Sequence, residues 1–257
     1  MILVIDVGNT NIKYGVYDKD NLVASYRVAS HINKTADEYG SVLLGLLKAS
    51  DIKISQIKGI ILSSVIPSLN YTICHMCEYF FKKKPLVVGP GVKTGLNIKA
   101  DNPREVGADI IVNSVSAYKK YGGPLVVIDF GTATTFDVIS SKGELIGVII
   151  APGVKTALES LVNGTAQLPM IEIAAPKSAL GKNTETAMQS GIVFGFAGLV
   201  ENIIKKIKKE LKIDDLLVVA TGGMSKLIKN EVECISVLDK TLTLDGLKYI
   251  YSLNEQN

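Results

Sequence analysis

The sequence predicts an α/β protein of two similar halves, each a mixed sheet of three meandering strands followed by alternating helices and strands. Three observations carry this. The strand–turn–strand unit of residues 1–20, MILVIDVGNTNIKYGVYDKD, returns at residues 125–147, where LVVIDF runs into Gly131, Thr132, Ala133 and Thr134. In both copies an apolar run ends on an acid, a glycine and small polar residues, and the chain turns back as a second strand. A third strand and helical periodicity follow each copy. One supersecondary unit repeated at this separation indicates a duplicated domain, not a solenoid.

The elements follow in order. Residues 2–5 read as a buried strand, and Gly8, Asn9, Thr10 and Asn11 as a tight turn. Gly and Asn tolerate positive φ, and such a turn is expected to leave backbone N–H groups pointing at an anion. Residues 12–17 return as a strand, 18–21 turn, and 22–28 form the third strand. Thr35-Ala36-Asp37-Glu38 fits a capping box, and Tyr39, Leu43, Leu46 and Leu47 continue as a helical stripe. A strand at 59–65, a helix at 69–81 and a strand at 85–88 complete a ribonuclease-H-like order. Residues 89–102 read as a loop, and Pro103 precedes a helix that runs to about residue 121.

Gly122-Gly123-Pro124 is the best boundary, giving domains of residues 1–121 and 122–257. The second half repeats the three strands and then gives a helix at 154–162. A loop at 168–183 leads to a long helix at 184–211. A strand at 216–221, a Gly222-Gly223-Met224-Ser225 turn, a strand at 234–238 and a closing helix at 242–253 follow. The stripe Ile192, Phe196, Leu199, Ile203 on the long helix reads equally as a subunit contact or as internal core.

Composition narrows the function. The chain has 257 residues, is 47% hydrophobic and carries a net charge of +3, with a mean hydropathy of +0.28. A large core is available. The uninterrupted apolar runs are short of the roughly 20 residues of a membrane span, and Met1 leads straight into a strand without a signal sequence. Three cysteines argue against a disulfide framework and for a reducing cytoplasm. Cys74-His75-Met76-Cys77 lacks the second pair of a zinc site and sits in a helical pattern, where packing is the expected role. The lysine runs at 82–84 and 205–209 have no interleaved aromatics, and there is no Trp, so nucleic-acid binding is not indicated.

The chemistry lies in the turns. Each hairpin turn offers a carboxylate, a glycine and a hydroxyl, a set that suits the phosphates of a nucleotide and its Mg²⁺. The apolar strand of VVATGGMS ends in Gly222 and Gly223, whose bare backbone can lie flat against a ring or a ribose. Asp109 opens a helix, where an acid also complements the helix dipole. Thr184 reads equally as the N-cap of the long helix.

Two glycine turns after an Asp, with a late Thr-Gly-Gly turn, resemble the acetate and sugar kinase/Hsp70/actin superfamily. The ordered set IDVGNTNIK, DNPREVGAD, IDFGTATTFDV, APGVKTALESL, TAQLP and GKNTETAMQSG resembles the bacterial type III pantothenate kinases over nearly the whole chain. The resemblance implies two ribonuclease-H-like (actin-like ATPase) domains and a homodimer. It implies phosphorylation of pantothenate by ATP with Mg²⁺ and a monovalent cation, K⁺ or NH₄⁺, the first step of coenzyme A synthesis. Asp6 is then the Mg²⁺-associated carboxylate, and Gly8, Asn9, Thr10 and Lys13 touch phosphate. Asp109 is the general base, in a substrate segment with Gly107 and Ala108. Asp129 helps hold the monovalent cation, Thr132 and Thr134 contact ATP phosphates, Gly222 and Gly223 the adenosine, and Thr184 pantothenate.

Two positions depart from the family pattern. Ala100 stands where the family usually has Tyr, and Ile110 where it has Arg. The missing guanidinium removes a charge-assisted hydrogen bond worth roughly 1.5–3 kcal/mol, or about 10- to 150-fold in binding. The alternatives this opens are another small-molecule kinase of the superfamily and a non-catalytic nucleotide-binding accessory or regulatory protein.

Overall fold

The computed structural model describes residues 1–255 and divides into two compact units. The first comprises residues 1–96 and 100–119 with the chain from 241 onward, and the second residues 97–99 and 120–240.

In the first unit, β1 (Ile2–Val7), β2 (Asn11–Asp18), β3 (Asn21–Ala29), α1 (Ala36–Ala49), β4 (Gly59–Ser64), α2 (Pro67–Phe81) and β5 (Leu86–Val87) follow one another. The sheet order is β3-β2-β1-β4-β5. β2 runs antiparallel to both neighbours, whereas β1, β4 and β5 are parallel. β1 lies at the centre, covered on both faces, which is why it reads as a continuous apolar run. On one face Tyr39, Leu43 and Leu47 of α1 and Leu69, Ile73 and Met76 of α2 bury Leu3, Ile5 and Val7. Cys77 belongs to this core. α1 begins with the expected capping box: the Glu38 N–H donates to Thr35 Oγ1, and the Thr35 N–H donates to the Glu38 carboxylate at 2.8 Å.

The opposite face carries the last helix. α7 (Leu242–Glu255) packs on β1, β2 and β4. It also crosses α3 (Ala108–Tyr121), where a Cβ on Gly246 would fall 2.2 Å from the Val112 carbonyl oxygen. Only glycine permits that approach. Polar contacts fix its register. Tyr17 Oη donates to Asp245 Oδ1 at 2.5 Å, Thr241 Oγ1 to Asp245 Oδ2 at 2.6 Å, and Thr243 Oγ1 to Asn113 Oδ1 at 2.8 Å. Lys248 pairs with Asp20. The sequence boundary at residue 122 grouped this helix with the second half, but its contacts are with the first.

The second unit repeats the plan with β7 (Leu125–Phe130), β8 (Ala133–Ile139), β9 (Glu144–Pro152), α4 (Val154–Asn163), α5 (Thr184–Leu211), β10 (Leu217–Gly222), α6 (Ser225–Lys229) and β11 (Val237–Leu238). The order β11-β10-β7-β8-β9 matches that of the first sheet strand for strand, and β6 (Asn97–Ile98) is added outside β9. Sequence patterning left β6 within a loop, because two residues are too few to show a period. Pro103 opens a 3₁₀ turn, Pro103–Glu105, and the helix expected after it, α3, begins at Ala108. Asn102 caps the short turn by accepting the Arg104 N–H at 3.3 Å.

α5 is long and apolar enough to cross a membrane by length and composition. Its apolar residues pack inward, however. Met188, Ile192, Phe196, Val200, Ile204 and Ile207 join Phe130, Phe136, Val218 and Ala220 in one core, and Leu199 and Ile203 pack against it. The stripe that read equally as a subunit contact is internal.

Candidate active site

In the first unit the site is built from the end of β1. Asp6, 7% exposed, sits opposite Lys13 of β2 and Ser63 of β4. Directly opposed residues share a face of the sheet, so the three side chains meet. Ser63 Oγ donates to Asp6 Oδ1 at 2.9 Å, and Lys13 Nζ lies 3.4 Å from Oδ2. The turn itself corrects one expectation. None of Gly8, Asn9 and Asn11 takes positive φ, and the Gly8 N–H is used within the turn, donating to the Asn11 carbonyl at 3.0 Å. Small size, not left-handed backbone, is what these residues supply. Asn9 and Thr10 are exposed at the tip.

Asp109 lies in the first turn of α3, behind Gly107 and Ala108. A Cβ on Gly107 would fall 2.5 Å from Asp109 Oδ1, so the carboxylate lies close over this backbone. The Ile110 N–H donates to Oδ1 at 2.9 Å. Desolvation raises the pKa of Asp109 and the Ile110 N–H opposes the rise; the Asp6 charge raises it further and Lys13 lowers it. The same interactions put Asp109 within electrostatic reach of the Asp6–Lys13 pair. Ile110, at the position of the family's arginine, is 7% exposed and packs inward. Arg104 is exposed and Ala100 half-buried.

The second unit carries the corresponding trio. Asp129 on β7 is opposite Thr135 on β8 and Thr221 on β10. Where the first trio has a lysine, this one has a hydroxyl. Gly222 takes φ +92°, and a Cβ there would fall 2.5 Å from Asp129 Oδ1 and 2.6 Å from the Phe130 backbone. Glycine is required for β10 to end against Asp129. Gly223 donates its N–H to the Phe130 carbonyl at 3.1 Å and has no neighbouring atom within 4 Å on its Cβ side, so its backbone is bare.

Thr132 and Thr134 separate. Thr132 is exposed at the tip of the turn. Thr134 pairs with Phe130 on the core face, is 0% exposed, and its Oγ1 has no hydrogen-bond partner. A hydroxyl so enclosed cannot reach a nucleotide, and strand alternation gives the Asp129 face to Thr135 instead.

Thr184 does not cap α5. Asn183 does, accepting the Thr186 N–H at 2.8 Å. Thr184 is exposed and lines a cavity of about 700 Å³ with Leu161, Leu168, Gly181 and Ile192.

Sequence reasoning missed Ser63, Thr135, Thr221 and Asp137. Asp137 is 0% exposed on β8, two residues beyond Thr135 and so on the Asp129 face. An acid inside the apolar pattern TFDVI was the available signal. Among the described residues no three His, Cys, Asp or Glu side chains form a metal cluster.

The sequence matches the family described as "Type III pantothenate kinase" over residues 2–206. A curated type III pantothenate kinase of Exiguobacterium sibiricum is 48% identical over 255 residues, 99% of this chain and 100% of the relative. The chain belongs to the type III pantothenate kinase family. Membership makes it a kinase, a transferase that uses ATP on a small-molecule acceptor. Solved structures agree on the fold. A protein from Campylobacter jejuni described as a Baf family transcriptional activator aligns with TM-score 0.62 at 17% identity, covering 100% of both chains. A protein from Sinorhizobium meliloti described as a 2-dehydro-3-deoxygalactonokinase aligns with TM-score 0.60 at 13% identity, covering 98% of this chain and 96% of that one. Both identities are low enough that these likenesses speak for the fold alone.

Proposed function

We infer that this type III pantothenate kinase family member transfers the γ-phosphoryl group of ATP to the hydroxyl of pantothenate, giving 4′-phosphopantothenate, the first step of coenzyme A biosynthesis. The observation that carries the mechanism is Asp109. It is a desolvated carboxylate at the start of α3, within electrostatic reach of Asp6 and Lys13. A base works best when its pKa approaches the operating pH, and desolvation moves Asp109 in that direction. Asp109 takes the hydroxyl proton as the substrate oxygen bonds to the γ-phosphorus, and the bond to the bridging oxygen breaks to release ADP.

Gly8, Asn9, Thr10 and Lys13 contact phosphate in the first half and Thr132 in the second, while the bare backbone of Gly222 and Gly223 takes the adenosine. Asp6 is a single carboxylate, the kind of donor that suits Mg²⁺, an ion usually held by one or two carboxylates and substrate phosphates; when bound, Mg²⁺ neutralises phosphate charge. Asp129, Thr135 and Thr221 share a face and offer oxygen donors of the type a K⁺ or NH₄⁺ ion takes. Thr184 contacts pantothenate.

A homodimer belongs to this proposal. Leu161 of α4 and Met170 and Leu180 of the segment between α4 and α5 are 38%, 57% and 81% exposed, apolar side chains of the kind that a second copy would cover. The free thiols Cys74, Cys77 and Cys234 fit a cytoplasmic enzyme.

The test is ADP production with ATP and Mg²⁺, with and without pantothenate, in K⁺ and then in Na⁺. Pantothenate-dependent, K⁺-stimulated turnover is expected, and Asp109→Asn should abolish it while ATP still binds. Full turnover in that variant would remove Asp109 as the base. ATP binding by the wild type without pantothenate turnover would overturn the acceptor.

A further inference from the structure

The two hairpin turns share a device outside the assigned residues. In the first, Ser30 Oγ donates to the Gly8 carbonyl at 2.6 Å, and the Ser30 N–H donates to the Thr10 carbonyl at 3.0 Å. In the second, Thr156 Oγ1 donates to the Thr132 carbonyl at 2.7 Å, and the Gly153 N–H donates to the same oxygen at 3.1 Å. Ser30 directly follows β3. Gly153 directly follows β9, the matching third strand of the other half. In each unit the chain that follows the third strand, Ser30 in the first and Gly153 with Thr156 of α4 in the second, therefore brings one hydroxyl and one N–H onto carbonyl oxygens of the glycine turn.

We propose that Ser30 and Thr156 are positioning residues for phosphate binding, hydroxyl clamps that hold the carbonyls of the two turns away from the nucleotide. Across a planar trans peptide the C=O of one residue points opposite to the N–H of the next. Fixing the Gly8 carbonyl inward therefore aims the Asn9 N–H outward, and fixing the Thr132 carbonyl does the same for Ala133. A peptide flip would instead present the negative end of the dipole to a phosphate. Two further carbonyls of the turns are held: Asn11 accepts from the Gly8 N–H at 3.0 Å, and Ala133 from the Gly131 N–H at 3.0 Å. The Thr132 carbonyl accepts two hydrogen bonds, which fills both its lone pairs. Gly8 has no side chain to resist a flip of its peptide, and both turns are short, so the restraint comes from the neighbouring segment. Gly153 fits this tightly, because a Cβ there would fall 2.3 Å from the Thr132 oxygen.

The proposal rests on the phosphate-binding role of the turns. Its test begins with ATP binding by the wild type, measured by calorimetry, and with KM for ATP and for pantothenate. Ser30→Ala and Thr156→Val each remove one hydroxyl and keep the backbone bonds. Each should raise KM for ATP roughly 3- to 10-fold, the scale of one hydrogen bond, and leave KM for pantothenate unchanged. Thr and Ser keep the donor, so Ser30→Thr and Thr156→Ser should restore the wild-type value. A merely structural role would lower both affinities or the melting temperature and would not follow the hydroxyl. Wild-type ATP binding with unchanged KM for ATP in Ser30→Ala and Thr156→Val would overturn the clamp alone. No ATP binding by the folded wild type would overturn the clamp together with the phosphate-binding role.

Discussion

A carboxyl group half-buried at the start of α3 and facing a second carboxylate favours its neutral form. Asp109 therefore binds its proton more tightly in the folded than in the unfolded chain. Its stabilising contribution is fully present below the ordinary Asp value and is lost as pH rises through the raised folded value. At neutral pH the ionised group is a burden that the fold carries for chemistry. Asp109→Asn should accordingly melt higher than wild type at pH 7, by about 2–4 °C if the relief is near 1 kcal/mol. The gap should narrow as pH falls, which calorimetry at several pH values would read. A variant less stable than wild type at pH 7 would contradict this. Wild-type turnover should fall on the acid side at a pH above the ordinary range of an aspartate. Asp6 and Asp129 stand out in the sequence because each ends an apolar run just before a glycine turn, and Asp109 because it opens a helix after Gly107 and Ala108; the role proposed for each comes from the family resemblance. Ser30, Ser63 and Thr156 do not stand out. Each reaches a partner that is distant in sequence, and no local period encodes which carbonyl or carboxylate a hydroxyl will meet.

At the level of elements, strands and helices were read well wherever the apolar period extended over several residues. The capping box at Thr35 also held, because both of its bonds are local. The start of α5 shows the limit of such reading. Asn183 and Thr184 are both good cap residues by type, and only the φ and ψ of the folded chain select Asn183. The two positions should respond differently. Asn183→Ala should lose about 1 kcal/mol of stability, seen as a melting temperature lower by about 2–4 °C. Thr184→Ala should leave melting unchanged and raise KM for pantothenate. The opposite pattern would return Thr184 to a capping role. The same limit applies to β8, where the sequence offers Thr134 and Thr135 side by side. The register opposite β7 decides which one joins Asp129, and the choice falls on Thr135. Register depends on long-range pairing, which a single strand's pattern does not carry.

For the molecule as a whole, the repeated hairpin foretold two sheets of matching order, and the structure has them. The closing helix could not be assigned this way. Its amphipathic pattern shows that α7 covers a sheet, but not which one, and the answer depends on Tyr17–Asp245 and Gly246–Val112, contacts between residues more than 130 apart in sequence. That arrangement has a consequence for synthesis. A ribosome releases β1 first, yet one face of β1 has no cover until residues 242–255 emerge. The second unit, whose residues 120–240 are contiguous apart from the short β6, can close earlier. A chain ending at Lys240 should therefore show slow hydrogen exchange in β7 and β10 and fast exchange in β1 and β4, and equal protection of both sheets would refute this. The half that is made first is the half that is finished last, so one apolar face of its sheet waits uncovered until residues 242–255 are made, an interval in which a nascent chain needs a chaperone.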